Sequence, residues 1–275
     1  MKERALEELR KNHFLKVILF LFLALTIWWI SMFVRDLQGG SENNAFTLIY
    51  PWFSLVGSVA GFYVGSKWGG FESFLGGAIS MFAFGLLAQF IGQAIYAYYI
   101  YINGIEVPYP SWGDLGYFGS VICYIIGAIL LTKVSGFTFS VRSLKGKLIS
   151  FAIPVILLLS SYAVFLRDYQ LDSIDYLKTF LDFGYPLGQA IYVSLAILAL
   201  LMSKNILGGI MQKPISFLLI ALVIQYLCDF MFLYQVSRGT WYVGGINDFM
   251  YLVSYFVMTV SLVVLGLAFE RIKSS

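Results

Sequence analysis

Charge is scarce in this chain. Only 12% of its 275 residues are Asp, Glu, Lys or Arg, and it holds one histidine, two cysteines and six prolines. Each shortage excludes something. A single histidine, His13 at the edge of the charged N-terminus, rules out haem ligation by a histidine pair, the His-rich metal sites of membrane hydrolases and a Ser/His/Asp triad within the membrane. No aspartate-rich Mg²⁺ motif and no phosphate-binding glycine loop is present. The expectation is a protein without catalytic chemistry, cofactor or metal. Cys123 and Cys228 both lie in apolar runs, where a thiol behaves as a small apolar side chain, so no disulfide framework is indicated. The net charge of +3 is too small to suggest nucleic acid as a partner.

What the chain has instead is oil. Apolar residues make up 60% of it, aromatic ones 18%, and the mean hydropathy is +0.82. That is more apolar surface than a soluble core can hide, so the lipid bilayer must be its solvent. A helix needs about 20 apolar residues to cross roughly 30 Å of hydrocarbon, and this ruler predicts eight spans. They run over about 14–34, 47–66, 72–101, 114–133, 146–166, 180–203, 214–236 and 247–269. The first is too long for a signal-peptide core and is expected to be retained. The segment 1–13 before it has i,i+4 charge pairs such as Glu7 with Lys11, suited to a solvated or amphipathic cytoplasmic helix.

Eight spans bring both termini to one side. Fourteen of the 18 Lys and Arg residues fall on that side, and only Arg35, Arg167, Lys178 and Arg238 fall on the other. Basic loops stay in the cytoplasm, so the expectation is a cell-membrane protein with both termini cytoplasmic.

The chain also nearly repeats itself. "MFVRDLQ" from Met32 returns as "VFLRDYQ" from Val164. "AQFIGQAIYAYY" from Ala88 is answered by "IQYLCDFMFLYQ" from Ile224, matching Gln89 with Gln225 and Gln93 with Asp229. "GDLGYFGSV" from Gly113 is answered by "NDFMYLVSY" from Asn247, matching Asp114, Tyr117 and Ser120 with Asp248, Tyr251 and Ser254. The reading is an all-α integral membrane protein of two four-helix repeats, 14–138 and 139–275. Because each holds an even number of spans, the copies share one orientation and are related by an axis near the membrane normal.

The even-numbered spans begin alike: Thr47 with Tyr50, Asp114 with Tyr117, Asp182 with Tyr185, Asp248 with Tyr251. Thr or Asp at a helix start caps orphan N–H groups, and the Tyr three residues on shares its face at interfacial depth. Capping and anchoring is one reading; a shared polar site at the outer face is the other. Gly57, Gly61 and Gly65, and likewise Gly184 and Gly188, form small-residue stripes that point to close helix packing.

Intramembrane ionisable groups are costly, which makes each a functional candidate. Asp229 leads, with Gln225 one turn below it and Gln89 and Gln93 repeating that spacing. Together with Asp114, Tyr117, Asp182, Tyr185, Gln189, Asp248 and Tyr251 they make the outer half of the bundle polar. A satisfied interhelical hydrogen-bond network and a ligand cavity open to the outside are the two alternatives.

"PSWGDLGYFGSVICYIIGAILL" from Pro110, "LDFGYPLGQAIYVSLAILALL" from Leu181 and the stretch from Leu227 to Tyr255 resemble a bacterial membrane sensor region. It is the multi-helix region found ahead of diguanylate cyclase and histidine kinase domains. The likeness rests on Pro110, Ser111, Asp114 and Tyr117, on Asp182, Tyr185 and Pro186, and on Asp229, Asp248 and Tyr251, with Gln189 where the family pattern often has a second Asp. It implies a non-catalytic sensor or partner-binding module, and since "FERIKSS" closes the chain with no output domain, signalling through a separate partner protein. A small-solute transporter and a structural subunit of a larger membrane complex are the alternatives, and a second copy of the chain is a further candidate partner.

Overall fold

The computed structural model describes residues 12–37, 39–105, 107–134, 144–166, 175–203 and 212–274. Their regular structure is entirely helical, and eight helices are long and apolar enough to cross a membrane. The amphipathic N-terminal helix and the second Arg-Asp pair, Arg167 and Asp168, lie outside the described residues.

Helix α1 (His13–Val34) starts where the Asn12 side chain accepts from the Leu15 N–H at 3.0 Å. It ends where Asp36 takes a positive φ of 52° and Arg35 forms a forked pair with Glu42 at 2.9 and 2.6 Å. The second span is two helices, α2 (Ser41–Ile49) and α3 (Trp52–Lys67). Pro51 has no N–H to offer the α2 ladder but suits the first turn of α3, so the ladder is interrupted there while Tyr50 and Pro51 keep helical φ and ψ. Ser73 then caps α4 (Phe74–Ala97) by accepting from Gly76 at 2.9 Å, and the helix continues through a π-turn, Tyr98–Ile102. The remaining helices are α5 (Gly113–Val134), α6 (Leu144–Ser161, with a π-turn Tyr162–Leu166), α7 (Tyr176–Ser203), α8 (Gln212–Ser237) and α9 (Ile246–Ser274).

Two boundaries correct the sequence reading. The second span begins at Ser41 rather than 47, and the sixth at Tyr176 rather than 180, so Thr47 and Asp182 sit inside helices and cannot cap them. Polar residues such as Ser41 and Asn43 extend these helices beyond the apolar core, a stretch that a hydropathy ruler does not count.

Six helices close a ring in which α3, α4, α5, α7, α8 and α9 each pack on the next, and α9 returns to α3. Helix α1 lies outside the ring against α9, and α6 lies outside it against α7. The spanning windows of these two are only 17% and 6% buried, so their apolar side chains, Phe20 and Phe151 among them, face the space that lipid would fill. Close approach holds the ring together. A Cβ at Gly116 would lie 2.5 Å from both the Ala88 carbonyl oxygen and the Gly92 nitrogen, so α4 and α5 touch backbone to backbone. The Gly57–Gly61–Gly65 stripe meets Thr259 and Leu262 of α9 and Ala83 and Ser80 of α4; Gly184 and Gly188 meet Phe118 and Val121 of α5. The stripes serve packing.

Candidate ligand cavity

Inside the ring, at the end of the bundle that carries the α4–α5 and α8–α9 loops, lies a cavity of about 930 Å³. Four carboxyl groups reach its wall: Asp114, Asp182, Asp229 and Asp248. So do the amides of Gln89, Gln93 and Gln189 and the rings of Tyr117, Tyr185 and Tyr251. Gln225 is the exception among the nominated residues. It is fully buried behind the wall, where its Nε2 donates to Asp229 Oδ1 at 2.9 Å and its Oε1 accepts from Ser254 at 2.7 Å. Its position one turn below Asp229 turns it toward its carboxylate and α9 rather than toward open space.

Asp229 is held by three donors: Gln225, Tyr251 on Oδ1 at 2.9 Å, and Tyr192 on Oδ2 at 2.8 Å. Asp248 is held by three others, with the Gly244 N–H at 2.7 Å and Thr47 at 3.1 Å on Oδ2 and the Tyr50 hydroxyl at 3.2 Å on Oδ1. The Tyr50 hydroxyl in turn accepts from Gln93 Nε2 at 3.0 Å. Asp114 accepts from the Ser111 N–H at 2.7 Å and from Tyr185 at 2.7 Å. Both helix-start aspartates therefore bond backbone upstream of their helices as well as a tyrosine on a neighbouring helix. Gln89 accepts from Tyr255 at 3.1 Å and donates to Ser120 at 2.8 Å, and Asp182 accepts from Tyr109 at 2.7 Å.

These bonds satisfy the network alternative at most positions but not at all. Gln189 Oε1 and Asn247 Oδ1 are buried on the cavity wall with no hydrogen-bond partner, and Trp241 Nε1 shares that condition. Asn247 cannot turn to relieve it, since its Nδ2 donates to the Cys228 carbonyl at 2.9 Å. Buried polar atoms without partners are uncommon and ask for a ligand or water.

Sequence reasoning missed several wall and support residues. Tyr192 lies three residues after Gln189 and seven after Tyr185, on the same face of α7, and that spacing could have found it. Asn247 stood beside Asp248 in the quoted repeat. Phe165, Phe232 and Trp241 carry no sequence signal that separates them from lipid-facing aromatics. Comparison of the chain with known protein families, with curated proteins and with solved structures finds no match.

Proposed function

We propose that the chain is a non-catalytic sensor or partner-binding module of the cell membrane that receives a small ligand in this cavity. The observation that carries the reading is the pair of buried, unpartnered acceptors, Gln189 Oε1 and Asn247 Oδ1, on the wall of a space large enough for a drug-sized molecule. A purely structural network would be expected to close on itself. The sensor class rests on the likeness of the Asp114, Asp182 and Asp248 motifs to sensor regions, and the non-catalytic reading on the lone histidine. The bias of Lys and Arg supports both termini in the cytoplasm, which sets the cavity at the outer end.

The parallel repeat belongs to the same proposal, and matched hydrogen bonds support it. Tyr50–Pro51 and Tyr185–Pro186 recur, and each tyrosine bonds the aspartate at the start of a helix in the other half, Asp248 and Asp114. Gln89 bonds Ser120 as Gln225 bonds Ser254. The peripheral helices do not obey the symmetry, since α1 packs on α9 while α6 packs on α7.

Purification in mild detergent, followed by native mass spectrometry, tests the reading. The parent should carry a small molecule or partner protein that a cavity-filling Leu233→Trp variant lacks. Identical spectra for the two would sink it. A cavity between two repeats is also where secondary transporters bind substrate, and solute uptake into proteoliposomes would favour that second reading.

A further inference from the structure

Resting on the cavity reading above, we infer that the ligand is an organic cation: a protonated amine that bears N–H groups and an apolar body. Asp114, Asp229 and Asp248 bring three carboxyl groups to the wall. Each accepts only from neutral hydroxyl, amide or backbone donors. Among the described residues that line the cavity, none is Lys, Arg or His. Acidic groups gathered in a low-dielectric space favour a positive occupant and repel a negative one.

Of the three orphan atoms in wall residues, the two acceptors say which kind of cation; the third, the Trp241 Nε1–H, is a donor that an ammonium does not serve. Asn247 Oδ1, in a residue with 0% exposure, is an acceptor by virtue of the bond that its own Nδ2 makes, and Gln189, at 3% exposure, carries a second unpartnered oxygen in a residue of the same wall. Acceptors require donors, and an ammonium group with N–H bonds supplies both donors and charge. A bare metal ion fits less well. It would require several hard oxygens converging on one point, and among the described residues no three His, Cys, Asp or Glu side chains group in that way.

The rest of the wall specifies the body. Tyr117, Tyr251, Phe232 and Trp241 present aromatic rings, whose faces attract cations and accept apolar groups, and Val121 and Leu181 add aliphatic surface. A simple ammonium ion would leave this surface unused, so an arylalkyl or alkyl amine is the better fit.

The same ammonium chemistry occurs on a free amine and on an ethanolamine lipid headgroup, and the test separates the two. The parent is placed in nanodiscs of phosphatidylglycerol, which carries no ammonium, and titrated calorimetrically with phenethylamine and hexylamine. Their uncharged counterparts, 2-phenylethanol and hexanol, and the anion phenylacetate serve as comparisons. The amines should bind at least about tenfold more tightly than the alcohols, a difference of the size one charge contact commonly makes. Asp229→Asn and Asp248→Asn should each erase most of that preference while the alcohols bind as before. Gln189→Leu should weaken phenethylamine more than its N-trimethyl analogue, which has no N–H to lose. Repeating the titration with phosphatidylethanolamine present assigns the source: competition points to the headgroup, no competition to a free amine. Alcohols binding as tightly as amines, or both Asn variants retaining the parent's preference, overturns the inference. Binding of phenylacetate alone overturns it too, yet leaves the cavity reading standing. Absence of any bound compound here, with no co-purifying ligand or partner either, removes both.

Discussion

Replacing Asp229 separates the roles of shape, hydrogen bonding and charge within the ring. In Asp229→Leu, Tyr192, Tyr251 and Gln225 each lose the acceptor that now lies at 2.8–2.9 Å. Interhelical bonds in membranes average about 0.6 kcal/mol, which puts the two from Tyr192 and Tyr251 together near 1 kcal/mol, with the Gln225 bond, inside α8, adding a few tenths. Donors left buried without a partner cost more, roughly 1 kcal/mol apiece at the low end, which gives about 3 kcal/mol. The larger figure should govern, because Tyr192 and Gln225 have 0% exposure and no water route is open to them. Asp229→Asn differs. Its Oδ1 still accepts from Gln225 and Tyr251, and its Nδ2 can donate to a rotated Tyr192 hydroxyl, leaving one O–H to rehouse at a cost of about 1 kcal/mol. Thermal unfolding in detergent, followed by tryptophan fluorescence, should rank parent above Asn above Leu. A Leu variant as stable as its parent would refute the premise that these three donors depend on Asp229.

Three further outcomes follow from the packing and the charges. Gly116→Ala sets a methyl group against α4 backbone that cannot step aside, and should cost about 1–3 kcal/mol, whereas Gly119→Ala, with open space beside it, should be neutral or slightly stabilising in the same melt. Tyr50→Phe orphans Gln93 as well as removing a donor from Asp248, so it should lower stability by about 2 kcal/mol against about 1 kcal/mol for Tyr185→Phe; equal losses would show that the Gln93 bond at 3.0 Å contributes nothing. In a cysteine-free background, cysteines at Ser41 and Gly239 should react with an impermeant thiol reagent on intact cells and one at Ser140 should not, and labelling at Ser140 would break the assignment of sides.

Spans and wall residues were legible in the sequence for the same reason: in a bilayer each polar atom is conspicuous. Asp114, Asp229 and Asp248 stand out against apolar runs, and so do the glutamines around them. What could not be read is direction. Gln225 and Gln89 occupy matched places in the repeat, yet one lies behind the wall and the other reaches it, because Gln225 turns its amide to Asp229, which stands where the first half has Gln93. Thr47 is a mid-helix donor to Asp248 rather than a cap because α2 already starts at Ser41. Tyr192 is missed for another reason. In a chain with 19 tyrosines, a single ring signals nothing until its neighbours along the helix are counted with it.

On the repeat proposed above, what is copied and what is not divide along a chemical line. The bonds common to both halves, tyrosine to helix-start aspartate and glutamine to serine, tie ring helices to one another. The departures cluster around Asp229. Where one half has Gln93, the other has Asp229; where one has Gly57, packed tightly against α9, the other has Tyr192, whose hydroxyl reaches that same Asp229. The two departures depend on each other, since a carboxyl group buried at this depth needs the extra donor, and a tyrosine hydroxyl buried at 0% exposure needs the acceptor. Neither substitution would be tolerated as well alone. On that proposal a duplicated scaffold has acquired a buried carboxyl group on α8 and its extra donor on α7 without disturbing the contacts that close its ring, and the asymmetry would let the cavity orient the unsymmetrical ligand inferred above, charged at one end and apolar at the other.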